Sequence, residues 1–191
     1  MSNNPLLTSI EAYNPYNAQE CEDKEIILNH LKNTANIFSR SNKMAHMTAS
    51  AWIVNKERTK VLMAYHNIYN AWSWLGGHAD NEQNLLKVAH KEIQEESGLV
   101  DFVAVSKDIY SLEVLTVDGH EKKDHYVPSH LHLNITYLFE ADDQLPLTVN
   151  QNENSGLEWF LLEDAISASS EVWFRERIYK KLNKKLQEAA K

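Results

Sequence analysis

The amino-acid sequence predicts an α+β fold, a mixed α/β sandwich in which short strands pack against a few helices. Short runs rich in β-branched and aromatic residues, bounded by polar turns, recur along the chain and indicate strands. One helix with an apolar face lies in the middle of the chain and a second one ends it. A length of 191 residues suits one well-buried domain with an extension.

The first part of the chain predicts an extension to the main domain. Residues 1–16 are polar, carry two prolines and are expected to form an irregular arm. From about 17 to 34, the spacing of apolar residues predicts an amphipathic helix. We therefore expect an N-terminal helical extension over residues 1–43, packed on a domain over residues 44–191. Its expected role is to cover one end of the core, and binding a partner is the alternative.

Strands are expected both before and after the central helix. Residues 45–65 predict a hairpin with its turn at 55–58. A polar loop is expected from 118 to 129. Further strands are predicted at 102–105, 110–117, 130–139 and 156–161. A helix is expected to begin at 163, before a longer basic helix over 171–190. The lysines of that last helix are expected to face solvent, and its predicted apolar stripe is Val172, Phe174, Ile178, Leu182 and Leu186.

Three glutamates stand out in the central helix. At about 100° per residue, one arc of this helix is apolar and is formed by Leu85, Leu86, Val88, Ala89 and Ile93. Glu92 and Glu96 fall inside this arc, and Glu95 falls at its edge. Carboxylates that point toward a core are costly unless a cation neutralises them, and oxygen ligands suit Mg²⁺ or Mn²⁺. The alternative interpretation is a solvated, glutamate-rich helix end.

The stretch from Gly77 to Leu99 resembles the signature of the Nudix hydrolases. That signature is Gly, five residues, Glu, seven residues, Arg-Glu, an aliphatic, any residue, Glu-Glu, any residue, Gly and an aliphatic. The chain departs from it twice, with Gln83 in place of the first Glu and Lys91 in place of Arg. A looser resemblance extends to the tryptophans before the glycines and to residues 156–160. The matching positions are Glu92, Ile93, Glu95, Glu96, Gly98 and Leu99. A polar, Asp/Asn-rich turn is expected after the glycine pair, and Gly98 is expected to end the helix that follows.

The resemblance implies a mixed sheet between helices and a Mg²⁺-dependent (or Mn²⁺-dependent) hydrolase. Such an enzyme cleaves a diphosphate linkage in a nucleoside diphosphate derivative or related compound, by attack of metal-activated water on phosphorus. The metal ligands it implies are the Gly76 carbonyl, Glu92, Glu95 and Glu96. The catalytic residues it implies are the same three glutamates and Glu153. The general base could be Glu92, Glu95 or Glu153. Glu121 and Glu158 are alternatives to Glu153.

Two other functional classes remain open. The first is a non-catalytic nucleotide-binding or regulatory module on the same fold. It is kept as an alternative because Gln83 is uncharged and Lys91 lacks the planar fork of arginine, so both signature positions that support catalysis are altered. Isopentenyl-diphosphate isomerase shares the fold as well. That reaction resembles one that needs an active-site cysteine, and the single cysteine, Cys21, falls in the N-terminal extension. Its position disfavours the isomerase.

Aromatic and histidine side chains are the candidate substrate contacts. Trp72 and Trp74 could stack on a base, with a core position as the alternative for each. The alternation of a predicted strand places His130, His132 and Asn134 on one face. We expect the histidines to face a phosphate or another part of the substrate. A zinc site is a weaker interpretation, because neither a cysteine nor a third well-spaced ligand accompanies the pair. The predicted substrate contacts are Trp72, Trp74, His78, His130 and His132.

Composition limits the classes of partner. The formal charge of −8 argues against general nucleic-acid binding, which usually shows a basic face. A single cysteine excludes an internal disulfide. Neither a signal pattern nor an apolar run of membrane-spanning length is visible, so we expect a cytoplasmic protein, monomeric or homodimeric, with a small-molecule diphosphate substrate. The sequence does not identify that substrate.

Overall fold

The computed structural model describes residues 4–122 and 125–189. A π-helical segment, Phe174–Tyr179, directly precedes the last helix. The α-helices are α1 (Pro5–Ala12), α2 (Ala18–Asn33), α3 (Leu85–Ser97), α4 (Leu162–Ala168) and α5 (Lys180–Ala189). The strands are β1 (Ala45–Asn55), β2 (Lys60–His66), β3 (Ala71–Ser73), β4 (Leu75–His78), β5 (Phe102–Ala104), β6 (Ser111–Val117), β7 (His120–Lys122), β8 (His125–Val127), β9 (His130–Ala141) and β10 (Asn154–Leu161).

Eight of these strands form one sheet. Its strand order is β10-β2-β1-β9-β5, and β3 pairs with β2, β4 with β1 and β6 with β9. Strands β7 and β8 form a separate antiparallel pair. The fold is therefore of the predicted α+β type, a mixed sheet with flanking helices.

The chain divides into two compact units, and β1, α3 and β9 each contribute residues to both. The first unit contains Met1–Ser50, Gly76–Ala89 and Lys107–Tyr137. The second unit contains Ala51–Leu75, His90–Ser106 and Leu138–Lys191. The predicted division into residues 1–43 and 44–191 stays a prediction.

In the first unit, the arm that we expected to be irregular contains a helix. Helix α1 begins at Pro5, whose fixed φ suits the first helical position, and the Asn4 side chain accepts from the Leu6 amide at 3.1 Å. Leu6 and Ile10 are buried one turn apart, which supplies the packing that so short a helix requires. The expectation for this segment was wrong because the proline begins the helix. Residues 1–3 of the predicted arm lie outside the described residues.

Helix α2 confirms the amphipathic helix expected over 17–34, and it is joined to β6 by a buried carboxylate. Glu20 is fully buried and accepts from the Tyr13 hydroxyl at 2.6 Å and from the Tyr16 amide at 2.7 Å. The Ser111 hydroxyl of β6 donates to the same carboxylate at 2.8 Å. These hydrogen bonds hold α2 and the turn after α1 in place within the first unit. Such anchoring is what the expected role of the extension, covering one end of the core, would require.

A strand pair interrupts the predicted polar loop of residues 118–129. His120 pairs with Val127 and Lys122 pairs with His125 in the antiparallel hairpin of β7 and β8. The loop prediction was wrong here because the polar composition concealed the β-branched and aromatic residues of β8. Residues 123 and 124 of this segment lie outside the described residues.

In the second unit, the hairpin of β1 and β2 has the predicted position. The Asn55 side-chain oxygen accepts from the amides of Thr59 at 2.8 Å and of Lys60 at 2.9 Å, which closes the turn. Strand β10 pairs along β2 from Asn154 to Leu161 and is longer than the predicted 156–161. Its additional residues matter for the site described below.

The C-terminal helix departs from its predicted apolar stripe at Val172, whereas Ile178, Leu182 and Leu186 are buried as predicted. Val172 is 65% exposed, whereas Tyr179 is fully buried and stacks on Trp52 with ring centres 5.4 Å apart. The π-helical geometry accounts for this change, because wider turns displace the i, i+4 positions assumed for an α-helix. Lys181 is also buried, so the prediction of a fully solvated lysine face was wrong at that position. Within residues 4–122 and 125–189, no helix is both long and apolar enough to cross a membrane.

Candidate active site

The loop before α3 is held by side chains of the first unit. Arg40 donates to both carboxylate oxygens of Asp80, at 2.7 and 2.6 Å. The Asn81 amide donates to the Phe38 carbonyl at 2.8 Å. Asp80 and Asn81 have φ values of 45° and 74°, a left-handed conformation that Asp and Asn tolerate better than most residues. The predicted polar turn is therefore a fixed loop.

Asn84, the residue after the signature departure at Gln83, caps the start of α3. The Asn84 side chain accepts from the Lys87 amide at 3.1 Å, as an N-cap does. Glu82 accepts from the Lys87 ammonium at 2.6 Å, and this hydrogen bond holds the pKa of the Glu82 carboxyl below its usual range. The signature glutamate is missing at Gln83, but a carboxylate lies one position earlier and bonds to the helix.

Gly76 occupies a place that no other residue fits. A Cβ added there would lie 2.5 Å from the Ala49 carbonyl oxygen and 2.8 Å from the Ser50 Cα, both backbone atoms of β1. Such separations are too short for a carbon atom, so β4 can approach β1 this closely only with glycine at this position. The predicted role of the Gly76 carbonyl as a metal ligand stays a prediction.

Glu96 is a buried carboxylate in the second unit. Its relative exposure is 4%, and its Oε1 accepts a hydrogen bond of 2.9 Å from the Asn154 side-chain amide. The other atom of that amide, Asn154 Oδ1, is buried and has no hydrogen-bond partner in the described part of the chain. Glu96 therefore points inward, as its place in the apolar arc predicted.

The other two glutamates of α3 are progressively more exposed. Glu92 is partly buried, whereas Glu95 is exposed and pairs with Lys91 one turn earlier, at 2.9 Å. An exposed ion pair of this kind contributes little to stability, but it restricts where the Glu95 carboxylate can point. The order of burial, Glu96 then Glu92 then Glu95, agrees with the helical positions of the three residues.

The end of α3 is anchored to the loop that precedes β10. Gly98 has φ of +70°, which confirms the left-handed helix stop expected from its sequence position. A Cβ on Gly98 would lie 2.8 Å from the Thr148 Cβ, and the Thr148 amide donates to the Ser97 carbonyl at 2.8 Å. Asn154 follows six residues after Thr148, so this loop leads into the strand that supplies the Glu96 partner.

The two tryptophans differ in burial. Trp74 is 8% exposed and packs edge-on against Phe174 and Tyr179, with ring centres 6.0 and 5.9 Å apart. Trp72 is partly buried, and its ring packs edge-on against Tyr65 and Phe160. These contacts favour a core role for Trp74 and leave more of Trp72 accessible. Substrate contact by either residue stays a prediction.

The acids considered outside α3 are all exposed. Glu153 precedes Asn154, and Glu158 lies farther along β10, whereas Glu121 belongs to β7. Sequence reasoning singled out Glu153 and missed its neighbour Asn154, whose side chain contacts Glu96. The signal that could have found Asn154 is strand alternation, which turns adjacent side chains of an extended segment in opposite directions.

Four histidines lie together in the first unit. His46 is buried, and its ring centre is 4.8 Å from that of His130, 5.0 Å from that of His132 and 5.2 Å from that of His78. His130 Nε2 and His132 Nε2 are 3.1 Å apart. One ligand nitrogen from each of His46, His130 and His132 lies within 4.8 Å of the others.

His46 corrects the expectation that no third ligand accompanies the predicted His130 and His132 pair. The signal was present in the polar alternation of His46, Thr48 and Ser50 along β1. Thr48 and Ser50 both donate to the Asn134 side chain, at 2.9 and 3.0 Å, on the face that also carries His130 and His132. Asn134 is fully buried, whereas His130 and His132 on the same face are partly buried.

Burial holds two histidines of the cluster in their neutral form. It lowers the pKa of His132 to about 2, with further lowering from the neighbouring His78, His46 and His130. Burial also lowers the pKa of His46, against a smaller raising effect of its hydrogen bond to the Asn42 carbonyl. Because protonation of His46 and His132 is disfavoured, these two rings offer lone pairs rather than positive charge at neutral pH.

Comparison with known proteins identifies the family. The NUDIX domain profile matches residues 44–182. No protein with a curated description matches the sequence. Among solved structures, a C. elegans Ap4A hydrolase binary complex is 18% identical, with a TM-score of 0.55, over 75% of this chain and 96% of the other.

Two further structures have similar folds. A Nudix hydrolase from M. smegmatis, RenU, is 13% identical with a TM-score of 0.53, over 75% of this chain and 86% of the other. The NUDIX domain of Shewanella oneidensis NrtR, complexed with ADP ribose, is 12% identical with a TM-score of 0.52, over 85% and 97%. At these identities the likeness concerns the fold, whereas the NUDIX profile covers most of the sequence. The chain therefore belongs to the NUDIX family, that is, to the Nudix hydrolases.

Proposed function

We propose that this protein hydrolyses a diphosphate linkage in a nucleoside diphosphate derivative or a related compound, with Mg²⁺ or Mn²⁺ as cofactor and water attacking phosphorus. The observation that carries the proposal is the buried Glu96 carboxylate held by Asn154. The Asn154 amide is neutral, so its hydrogen bond orients the carboxylate without neutralising it. A divalent cation bound to this carboxylate would offset its negative charge.

The donor atoms of α3 suit a hard cation. Glu92 and Glu96 lie four residues apart, about one helix turn, and both offer carboxylate oxygens, which Mg²⁺ prefers. The unpartnered Asn154 Oδ1 is a buried acceptor beside Glu96 that a water molecule of such a site would satisfy. Glu95 is proposed as a ligand reached through water, because its ion pair with Lys91 keeps it exposed. Gly76, Glu92, Glu95 and Glu96 are the proposed metal-binding residues.

The roles in the reaction follow from these positions. When bound, Mg²⁺ would supply positive charge to the diphosphate oxygens and would acidify a water molecule. Glu96, oriented by its hydrogen bond from Asn154, would serve as a ligand. A base must take the proton of the attacking water, and Glu92, Glu95 and Glu153 are the candidates. Glu153 is exposed beside Asn154, where its carboxylate can exchange the proton with solvent.

The proposed substrate is a small nucleotide derivative. The fold neighbours include an Ap4A hydrolase and a NUDIX domain complexed with ADP ribose, which supports this class. The substrate contacts carried over from the sequence are Trp72, Trp74, His78, His130 and His132. The proposal also includes a cytoplasmic location and a monomeric or dimeric state. It includes the lack of nucleic-acid binding as well, which is consistent with the net charge of −8.

A substrate screen tests the proposal. Purified protein is incubated with nucleoside triphosphates, dinucleoside polyphosphates, nucleotide sugars or ADP-ribose, with Mg²⁺, with Mn²⁺ or with chelator, in water labelled with heavy oxygen. We expect metal-dependent cleavage of at least one class, with the label in a phosphate product because water attacks phosphorus. Cleavage of none of these classes with either metal would favour the non-catalytic alternative, and label absent from every phosphate product would contradict the mechanism.

Crystals soaked in Mn²⁺ test the metal site separately. We expect an anomalous peak beside Glu92 and Glu96, with oxygen ligands at about 2.0–2.2 Å. The same soak of Glu96→Gln is the control, and its peak should be weaker or missing. No peak near these residues in the wild type would contradict the proposed site even if an activity were found.

A further inference from the structure

We propose that His46, His130 and His132 bind a divalent transition metal ion, Zn²⁺ in particular, in addition to the Mg²⁺ proposed for the carboxylates of α3. The three side chains offer imidazole nitrogen, which suits Zn²⁺ and other late first-row metals rather than Mg²⁺. All three residues belong to the first unit, two on β9 and one on β1.

The spacing of the rings is that of a three-histidine zinc site. Zinc bound tetrahedrally by imidazole nitrogens at about 2.0–2.1 Å would hold those nitrogens about 3.4 Å apart and the ring centres about 5 Å apart. The three ring centres form a triangle with sides of 4.8, 5.0 and 5.0 Å. The His130 and His132 nitrogens are 3.1 Å apart, and all three ligand atoms lie within 4.8 Å of one another. Small rotations of the rings would complete the site.

Backbone carbonyls fix two of the rings in the form that binds metal. His46 Nδ1 lies 3.0 Å from the Asn42 carbonyl, and His130 Nδ1 lies 2.8 Å from the Pro128 carbonyl. A carbonyl can only accept, so each Nδ1 carries the proton and each neutral ring keeps its lone pair on Nε2. This arrangement, with the far nitrogen donating to a carbonyl, is the usual support of a metal-bound histidine.

An unpartnered nitrogen points to a missing ligand. His46 Nε2 is buried and has no hydrogen-bond partner within the described residues, although it carries a lone pair. His130 Nε2 also carries a lone pair, so the proton in its contact with His132 belongs to His132 Nε2. Transfer of that proton to His132 Nδ1 keeps the ring neutral and frees a third lone pair. A metal ion would then occupy the space between three acceptors.

The orientation of the rings favours a metal over a phosphate. Backbone carbonyls accept hydrogen bonds from Nδ1 of His46 and of His130, so the Nε2 atoms of the neutral rings accept and cannot donate to a phosphate oxygen. His130 and His132 would instead reach an anionic substrate group through the ion, at a coordination position that three protein ligands leave open. His78 lies beside the three, with its ring centre 4.9 Å from that of His132.

Zinc titration of untagged protein tests this site. Zn²⁺ is delivered against a chromophoric chelator in excess Mg²⁺, so that the carboxylates of α3 are occupied. We expect the wild type to bind one Zn²⁺ per chain, and His130→Gln and His132→Gln to lose at least about 30-fold in affinity. His125→Gln, at an exposed position of β8, is the matched control and should bind as the wild type does. Glu96→Gln should also bind Zn²⁺ normally.

Spectroscopy and melting curves separate loss of ligation from loss of folding. Co²⁺ in place of Zn²⁺ should give the intense visible bands of a tetrahedral site, and these bands should weaken in His130→Gln. All variants should melt near the wild type in chelator, and Zn²⁺ should raise the melting temperature of the wild type but not of His132→Gln. Absence of a bound equivalent in the wild type, unchanged affinity in both histidine variants, or an equal loss in Glu96→Gln would each overturn the proposal.

Discussion

The Asn154 side chain donates a hydrogen bond of 2.9 Å to the buried carboxylate of Glu96, joining the first residue of β10 to the last turn of α3. This contact gives the buried carboxylate a hydrogen-bond donor inside the apolar arc of the helix. It also makes the direction of the Glu96 carboxylate depend on where β10 begins.

Removal of this donor is expected to weaken metal binding. Asn154→Ala should lower Mg²⁺ affinity by roughly 10–100-fold, since loss of an orienting partner loosens the ligand. It should also lower the free energy of unfolding by about 1–3 kcal/mol, because a buried carboxylate loses its hydrogen bond. Calorimetric titration with Mg²⁺ and denaturant unfolding measure the two effects.

Asn152→Ala is the matched control, because Asn152 is exposed in the same loop. It should leave Mg²⁺ affinity unchanged. Asn154→Asp should be worse than Asn154→Ala in chelator, since it adds a like charge beside Glu96. Equal Mg²⁺ affinity for wild type and Asn154→Ala would mean that Asn154 does not support a metal ligand.

The two departures from the Nudix signature are expected to be tolerated. Lys91 already pairs with Glu95 at 2.9 Å, and Glu82 beside Gln83 already bonds to Lys87. Lys91→Arg and Gln83→Glu should therefore keep or raise the hydrolysis rate, which steady-state kinetics would show. Lys107→Arg, at an exposed position outside α3 and its preceding loop, serves as the control for a surface change of the same kind. A tenfold loss in either signature variant, about 1.4 kcal/mol, would mean that a different network supports the loop.

Gly76 is expected to be intolerant of any side chain. Gly76→Ala places its Cβ 2.5 Å from the Ala49 carbonyl oxygen, so β1 and β4 must separate. The free energy of unfolding should fall by about 3 kcal/mol or more, as measured by chemical denaturation. Gly156→Ala is the comparison, because the closest contact of its Cβ would be the far edge of the Trp72 ring, at 3.1 Å, with the Tyr65 Cβ at an ordinary 3.5 Å. Equal stability of the two variants would contradict the close approach of β4 to β1.

The local pattern was sufficient to predict α3, its glycine stop and the hairpin of β1 and β2. The inward direction of Glu96 followed from helical periodicity alone. Strand alternation indicates the face on which Asn154 and His46 lie, but it does not identify their partners, which lie 58 residues away at Glu96 and more than 80 away on β9. The π-helical turn before α5 was missed for another reason, since its wider turns are set by packing of Tyr179 rather than by local propensity.

Diphosphate hydrolysis by Glu96→Gln, measured beside its melting temperature in chelator and in Mg²⁺, tests the proposed role of Glu96 most directly. The amide keeps the shape and can still accept from Asn154, but it removes the charge that binds the metal. We expect turnover to fall by orders of magnitude and the melting temperature in chelator to rise or stay level, because one of three mutually repelling carboxylates is gone. Glu95→Gln should be milder. If Glu96→Gln hydrolyses as fast as the wild type in Mg²⁺ and melts lower in chelator, Glu96 is a structural partner and not a metal ligand.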